Sequence, residues 1–196
     1  MITSCKENSS NQTNVTATSI KSSTKTELSN EKPSITITFE SGIFEGTYTF
    51  YPDKKDYGSQ INIGLNDGIS NLNTTKIIAK NGMQVHYITR PFIGESNIGS
   101  YKAKKYTDGC GHFNFIDLKN TKEYNRIDGD FSGCTETVID QVGKWKSGTI
   151  YNKRLVSGHF TDTVVFDIEM DDGPKKSETT KVKVKFVAND LRRKDF

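Results

Sequence analysis

Long apolar runs are missing from this chain. No stretch of about eighteen apolar residues occurs in its 196, so no segment has the pattern of a membrane-spanning helix. Charge of one sign is missing too: 27 basic residues stand against 24 acidic, a net +3 that is mild and interspersed and gives no electrostatic footprint for nucleic acid. Proline is scarce, four residues against sixteen glycines, so punctuation of the chain falls mainly to glycine. Helical spacing of apolar residues is nowhere sustained. Catalytic grammar is absent as well, with no Gly-x-Ser-x-Gly elbow, no HExxH pair and no phosphate-cradling loop of Walker type. Gly94-Glu95-Ser96-Asn97-Ile98-Gly99 lacks the strand, loop and Lys-Ser/Thr order of a nucleotide loop and reads as an ordinary connection.

The low mean hydropathy of −0.64 is concentrated at the N-terminus. From Lys6 to Pro33, 16 of 28 residues are Ser, Thr, Asn or Gln and only Val15, Ala17, Ile20 and Leu28 are apolar. Such a stretch buries too little surface to offset its ordering entropy, and it reads as a disordered tether. Residues 1–33 are therefore assigned to a start segment and tether, and residues 34–196 to a single β domain.

At Ser34 the pattern changes. Ile35, Ile37 and Phe39 alternate with Thr36, Thr38 and Glu40, the period of a half-buried strand. The alternation recurs at Phe44, Tyr48 and Phe50, at Ile61, Ile63 and Leu65, at Phe113 and Phe115, at Val164, Phe166, Ile168 and Met170, and at Val182, Val184 and Phe186. Asn81-Gly82 separates two such runs and suits a two-residue type I′ hairpin. Asp-Gly pairs at Asp67, Asp108, Asp128 and Asp172 add turn candidates. Ten to twelve short strands predict an all-β fold, an antiparallel β-sandwich in preference to a closed β-barrel. A weak echo, Gly-x-Phe, runs through SGIFEG (41–46), CGHFNF (110–115), DGDFSG (128–133) and SGHFTD (157–162), at spacings too irregular for a repeat architecture.

Ile2-Thr3-Ser4-Cys5 resembles the lipobox of bacterial lipoproteins: an aliphatic residue, two small residues and the cysteine that becomes acylated. Lys6-Glu7 is similar to the signature that follows this cysteine in surface-exposed lipoproteins of Bacteroidetes-type bacteria, and the Gly-x-Phe strands resemble small uncharacterised lipoproteins of those organisms. The resemblance implies lipidation at Cys5, an upstream signal segment, and a place in the cell envelope, anchored to the outer membrane or cell surface. Against it stands an ordinary cysteine in a cytosolic tail. Asn8, Asn11, Asn14 and Asn73 open N-glycosylation triplets, which an Asn- and Thr-rich composition produces by chance.

Export to an oxidising compartment would let the remaining pair, Cys110 and Cys134, form a disulfide; the alternative is two buried thiols. Cys110, Cys134, His112 and His159 would also satisfy zinc chemically, but their spacing lacks CxxC or HxxxH clustering, so no metal and no cofactor is assigned. His86 reads as a polar-face strand residue. Asp171-Asp172-Gly173 and Asp128-Gly129-Asp130 fit turns better than calcium loops. Trp145 and Tyr151, in VGKWKSGTIYNKR, have an inward packing role as the simpler reading and ligand stacking as the other, and His112 and His159 join them as candidate binding residues.

No catalytic residue is assigned. The expected function is a lipid-anchored envelope or surface binding protein for an unknown extracellular protein or glycan. The alternatives are a protease inhibitor or toxin-immunity protein, and a hydrolase built from scattered carboxylates.

Overall fold

The structure, a computed structural model, describes residues 28–117, 126–169 and 176–194. Cys5 and the tether through residue 27, Met170, and the turn candidate Asp172-Gly173 lie outside the described residues. A 3-10 turn over Leu28–Asn30, with Leu28 buried, precedes the first strand.

The chain is all-β. Its strands are β1 (Ser34–Phe39), β2 (Gly46–Pro52), β3 (Gln60–Asn66), β4 (Ile69–Ala79), β5 (Met83–Ile93), β6 (Gly99–Tyr101), β7 (His112–Asp117), β8 (Arg126–Phe131), β9 (Thr137–Val142), β10 (Tyr151–Glu169) and β11 (Lys176–Arg193). They form one sheet whose hydrogen bonding returns on itself, so no break in the pairing divides it into two sheets. Neighbours are antiparallel except β3 and β11, which run parallel where Asn62–Gly64 meets Asn189–Leu191.

Two long hairpins, β4–β5 and β10–β11, organise the ring by changing partners along their length. Near the end where both hairpins turn, β1 and β2 bridge β11 to β4, and β7 and β8 bridge β5 to β10. Toward the other end, β3 replaces β1 and β2 on one flank. On the opposite flank β9 and β6 take over, and the chain after β6 pairs with β5 through Phe92 and Ala103. The result is two stacked rings of strands, a turn-end ring and a far-end ring, threaded by the same four long strands.

Local chemistry explains the registers. At Asp67-Gly68 both residues take positive φ (47° and 74°), and Asn66 pairs with Ile69, a two-residue loop of the type expected at Asn81-Gly82. At Asn81-Gly82 only Gly82 is left-handed (φ 89°), and its N–H bonds to Ala79 at 2.9 Å. The loop there has three residues, and Asn81 serves it through its side chain, which accepts the Met83 N–H at 3.2 Å. Asp128-Gly129 is no turn but the middle of β8. A Cβ on Gly129 would lie 2.3 Å from the Phe113 ring, and one on Gly158 would lie 2.6 Å from the Phe186 ring. In these Gly-x-Phe segments the inward glycine leaves room for an aromatic ring from a neighbouring strand.

The core is richest in aromatic rings at the turn end and continues into the far-end ring through Ile61, Ile63, Leu72, Phe92, Ile139 and Val156. Phe115 is its hub, with ring centroids of Phe113, Phe39, Phe44 and Phe50 at 4.8, 5.7, 6.2 and 6.2 Å. A bulge in β5 between Val85 and Tyr87 puts His86 and Tyr87 both outside and restores Ile88 to the core.

Candidate functional site

The period of two that buries Val182, Val184, Phe186 and Ala188 on β11 also turns Asp190 and Arg192 inward, and on β10 the phase of Phe160 and Val156 turns Arg154 and Asp162 inward. The interior of the ring is therefore apolar at the turn end and carries charged residues among apolar ones beyond it. Burial of charge is expensive, so each group must be paired.

The first pair lies at the level where β5 and β10 exchange partners. Arg90 and Asp162 are both fully buried, with Arg90 Nη1 2.7 Å from Asp162 Oδ2 in a charge contact that lacks hydrogen-bond alignment. Asp162 Oδ1 accepts the N–H groups of Gly133 (2.6 Å) and Thr163 (2.7 Å). Arg90 donates to the carbonyls of Thr135 (2.7 Å) and Cys110 (3.3 Å), and its guanidinium lies on the rings of Phe160 and Phe131, 4.6 and 5.5 Å from their centroids. Burial pulls the Arg90 pKa below the ordinary arginine value, and Asp162 opposes that shift. Between the two segments that Arg90 ties together runs the Cys110–Cys134 disulfide, with Cα atoms 5.2 Å apart. Both thiols are consumed by this bond, so neither is available to a zinc set with His112 and His159. This is a structural brace.

The second cluster closes the far end of the ring. Asp190, fully buried, sits between two guanidiniums: Arg154 Nε is 2.9 Å from Oδ2, and Arg192 Nη1 is 2.7 Å from Oδ1. Ser96, on the connection after β5, donates its hydroxyl to Asp190 at 2.6 Å and accepts from Arg192 at 2.9 Å. Its carbonyl and the side-chain oxygen of Asn97 accept from Arg154 at 2.9 and 3.0 Å. Over this plug lies Trp145, its ring 4.5 Å from Arg154 Cζ and 6.0 Å from Arg192 Cζ. The indole remains 44% exposed, and Arg192 is 20% exposed beside it. With Arg154 on the inner side, the exposed part of the indole is turned outward. Burial lowers the Arg192 pKa, Arg154 adds to that shift, and Asp190 and Glu95 oppose it. Two guanidiniums share one carboxylate beneath a half-exposed indole, which leaves one positive charge in excess at the ring mouth.

A third feature is an open groove of about 400 Å³ on the outer face, lined by Tyr87, Asp108, His112, Asp128, Asp130 and Asp167 among others. His112 Nδ1 contacts Asp130, its cross-strand neighbour, and both side chains are largely solvated (49% and 37%). Asp128 is bonded by Asn114 and Asp167 by Ser177. An acid–base dyad is present, without the exclusion of water that strengthens electrostatic catalysis.

The candidate residues thus separate. Trp145 and Tyr151 share the far end, but Trp145 lids the interior whereas Tyr151, of opposite phase on β10, faces outward. His112 belongs to the groove. His159, bonded to Asp140 at 2.9 Å, stands six residues along β10 from the groove residue Val165, about 20 Å at strand rise. Arg154, Asp190, Arg192 and Ser96 escape a reading by motif. The signal for three of them was a charged residue at an inward phase, legible once the alternation of β10 and β11 is extended to their ends.

No family model, curated protein or solved structure matches the chain.

Proposed function

We propose that this chain is a binding protein of the cell envelope or surface, held to lipid through Cys5, that takes its ligand at the far end of the strand ring. The observation that carries this reading is Trp145, a half-exposed indole laid across two arginines. An aromatic left open and fixed in place is a prepared contact surface, because little conformational entropy remains to be lost on binding. The disulfide suits the oxidising side of a membrane, which supports the envelope assignment. Two measurements test it. Protein expressed with its upstream sequence should partition with membranes and carry acyl mass on Cys5, with Cys5→Ala released to the soluble fraction; an unmodified Cys5 in a membrane-free fraction refutes the anchor. Trp145→Ala should abolish capture of the extracellular ligand while far-UV circular dichroism stays unchanged; undiminished capture refutes the site.

A second reading, a hydrolase, is favoured by the groove, where titratable side chains converge on a concavity. Turnover of chromogenic glycosides or esters that disappears in His112→Ala would establish it, and no turnover in the parent protein disposes of it.

A further inference from the structure

The whole chain is nearly balanced in charge, yet its far end is not. Lys144, Lys146, Lys153 and Arg193 are exposed there, around the inward-turned Arg154 and Arg192, against Asp190 and Glu95, which are engaged with the plug, and Asp67 in the β3–β4 turn. Two of these contacts set like charges together. Lys146 and Lys153 face each other across an antiparallel bridge, a pairing that is unfavourable by itself. Arg154 and Arg192 share one carboxylate and one indole. Positive charge in excess of its internal partners, partly desolvated and beside a fixed aromatic plane, is the complement of a ligand that is anionic and has a flat apolar face.

We propose that the far end binds carboxylate-bearing saccharides such as uronic acid polymers. The proposal rests on the binding-protein reading above and names the ligand class of that same site. A pyranose ring presents a face of C–H groups that stacks on an indole, and its exocyclic carboxylate then lies at the ring edge. Arg192 lies beside Trp145, its Cζ 6.0 Å from the ring centroid and its side chain 20% exposed; Nη1 is held by Asp190 and Nη2 by Ser96, so it offers a carboxylate its charge from a fixed position. Lys144 and Lys146 flank the indole in sequence, and Lys153 pairs with Lys146 through the backbone, so the exposed charge on the segment that carries Trp145 and on its β10 neighbour is positive. A single-stranded nucleic acid would call for a series of stacking aromatics along a track, and the plug offers one. A membrane surface would call for aromatics projecting into the headgroups, whereas this indole is laid down on guanidiniums.

Trp145 is the chain's only tryptophan, so its emission reports on the site alone. The full chain is titrated at low salt with polygalacturonate, neutral dextran, poly-L-glutamate and phosphatidylglycerol vesicles. Polygalacturonate should change the emission saturably, with affinity falling about tenfold or more between 50 and 200 mM salt as the charges are screened. The exposed triple variant Lys144→Gln/Lys146→Gln/Lys153→Gln, which leaves the plug intact, should bind about tenfold more weakly or worse. Dextran that binds equally overturns the acidic class but leaves the Trp145 site standing. Poly-L-glutamate giving the same response overturns the saccharide. Vesicles that capture the protein while polygalacturonate leaves the emission unchanged make the end a membrane contact. Silence from all four probes overturns both the ligand class and the site, and a triple variant that binds normally overturns the lysine contacts.

Discussion

Replacing Arg90 by methionine is the perturbation that tests most directly how the interior is held. The substitution keeps an unbranched apolar stem on Phe160 and Phe131 and removes the guanidinium, leaving Asp162 fully buried without it. Asp162 Oδ1 keeps its two backbone donors, but Oδ2 loses its charge contact at 2.7 Å and the Thr135 carbonyl loses its 2.7 Å donor. Breaking a buried pair from one side costs about 3–5 kcal/mol, and an orphaned buried carbonyl adds about 1–3 kcal/mol. Methionine packing returns part of this, so a net loss of about 4 kcal/mol is expected, a large share of the roughly 5–15 kcal/mol that holds a domain together. Urea unfolding followed by Trp145 emission and by circular dichroism, with the disulfide intact, is the assay. At a slope of about 2 kcal/mol per M the midpoint should fall by about 2 M. Adding Asp162→Asn removes the stranded charge while its side-chain oxygen still accepts from Gly133 and Thr163, and should restore about half of the loss. The reasoning is refuted if Arg90→Met costs under about 1 kcal/mol, or if the double variant is no better than the single.

Other perturbations read other parts of the fold. Cys110→Ala/Cys134→Ala opens a loop with a sequence separation of 24, and the chain-entropy relation gives a loss of about 3.5 kcal/mol, measurable as a lowered urea midpoint. Phe115→Ala removes the ring against which four other phenylalanines pack and should cost about 3–5 kcal/mol by the same assay. The Lys176 ammonium at 2.5 Å and the Ile43 N–H hold the Glu178 carboxyl below the ordinary glutamate range. A depressed acid contributes stability above its unfolded pKa and loses it as pH falls through the folded value. Glu178→Gln should therefore cost about 0.5 kcal/mol at neutral pH, closing as the pH drops below the ordinary glutamate range; a deficit independent of pH would assign the effect to packing instead.

The all-β class was legible because alternation is a local property: Ile35, Ile37 and Phe39 point one way in any register, and β1 begins at the Ser34 where the pattern begins. The β10–β11 hairpin was legible only in pieces, since its inward positions at Gly158, Asp162, Asp190 and Arg192 interrupt the apolar pattern and make two long strands look like several short ones. Turn type depended on a single φ angle: Asn81 and Asp67 both precede glycine, and only Asp67 is left-handed. The far-end plug was least legible, because Ser96, Trp145, Arg154 and Asp190 meet only through the closing of the ring. Spacing along the chain carries no record of that meeting.

The four long strands that run through both rings leave neither ring able to melt alone, since losing the β3 or β9 ladder strips hydrogen bonds from strands that also wall the aromatic core. Opening of the ladders at the far end is thereby coupled to opening of the whole domain. A ligand seated on Trp145 would then slow the amides beneath the phenylalanines at the opposite end that exchange through opening of the whole domain.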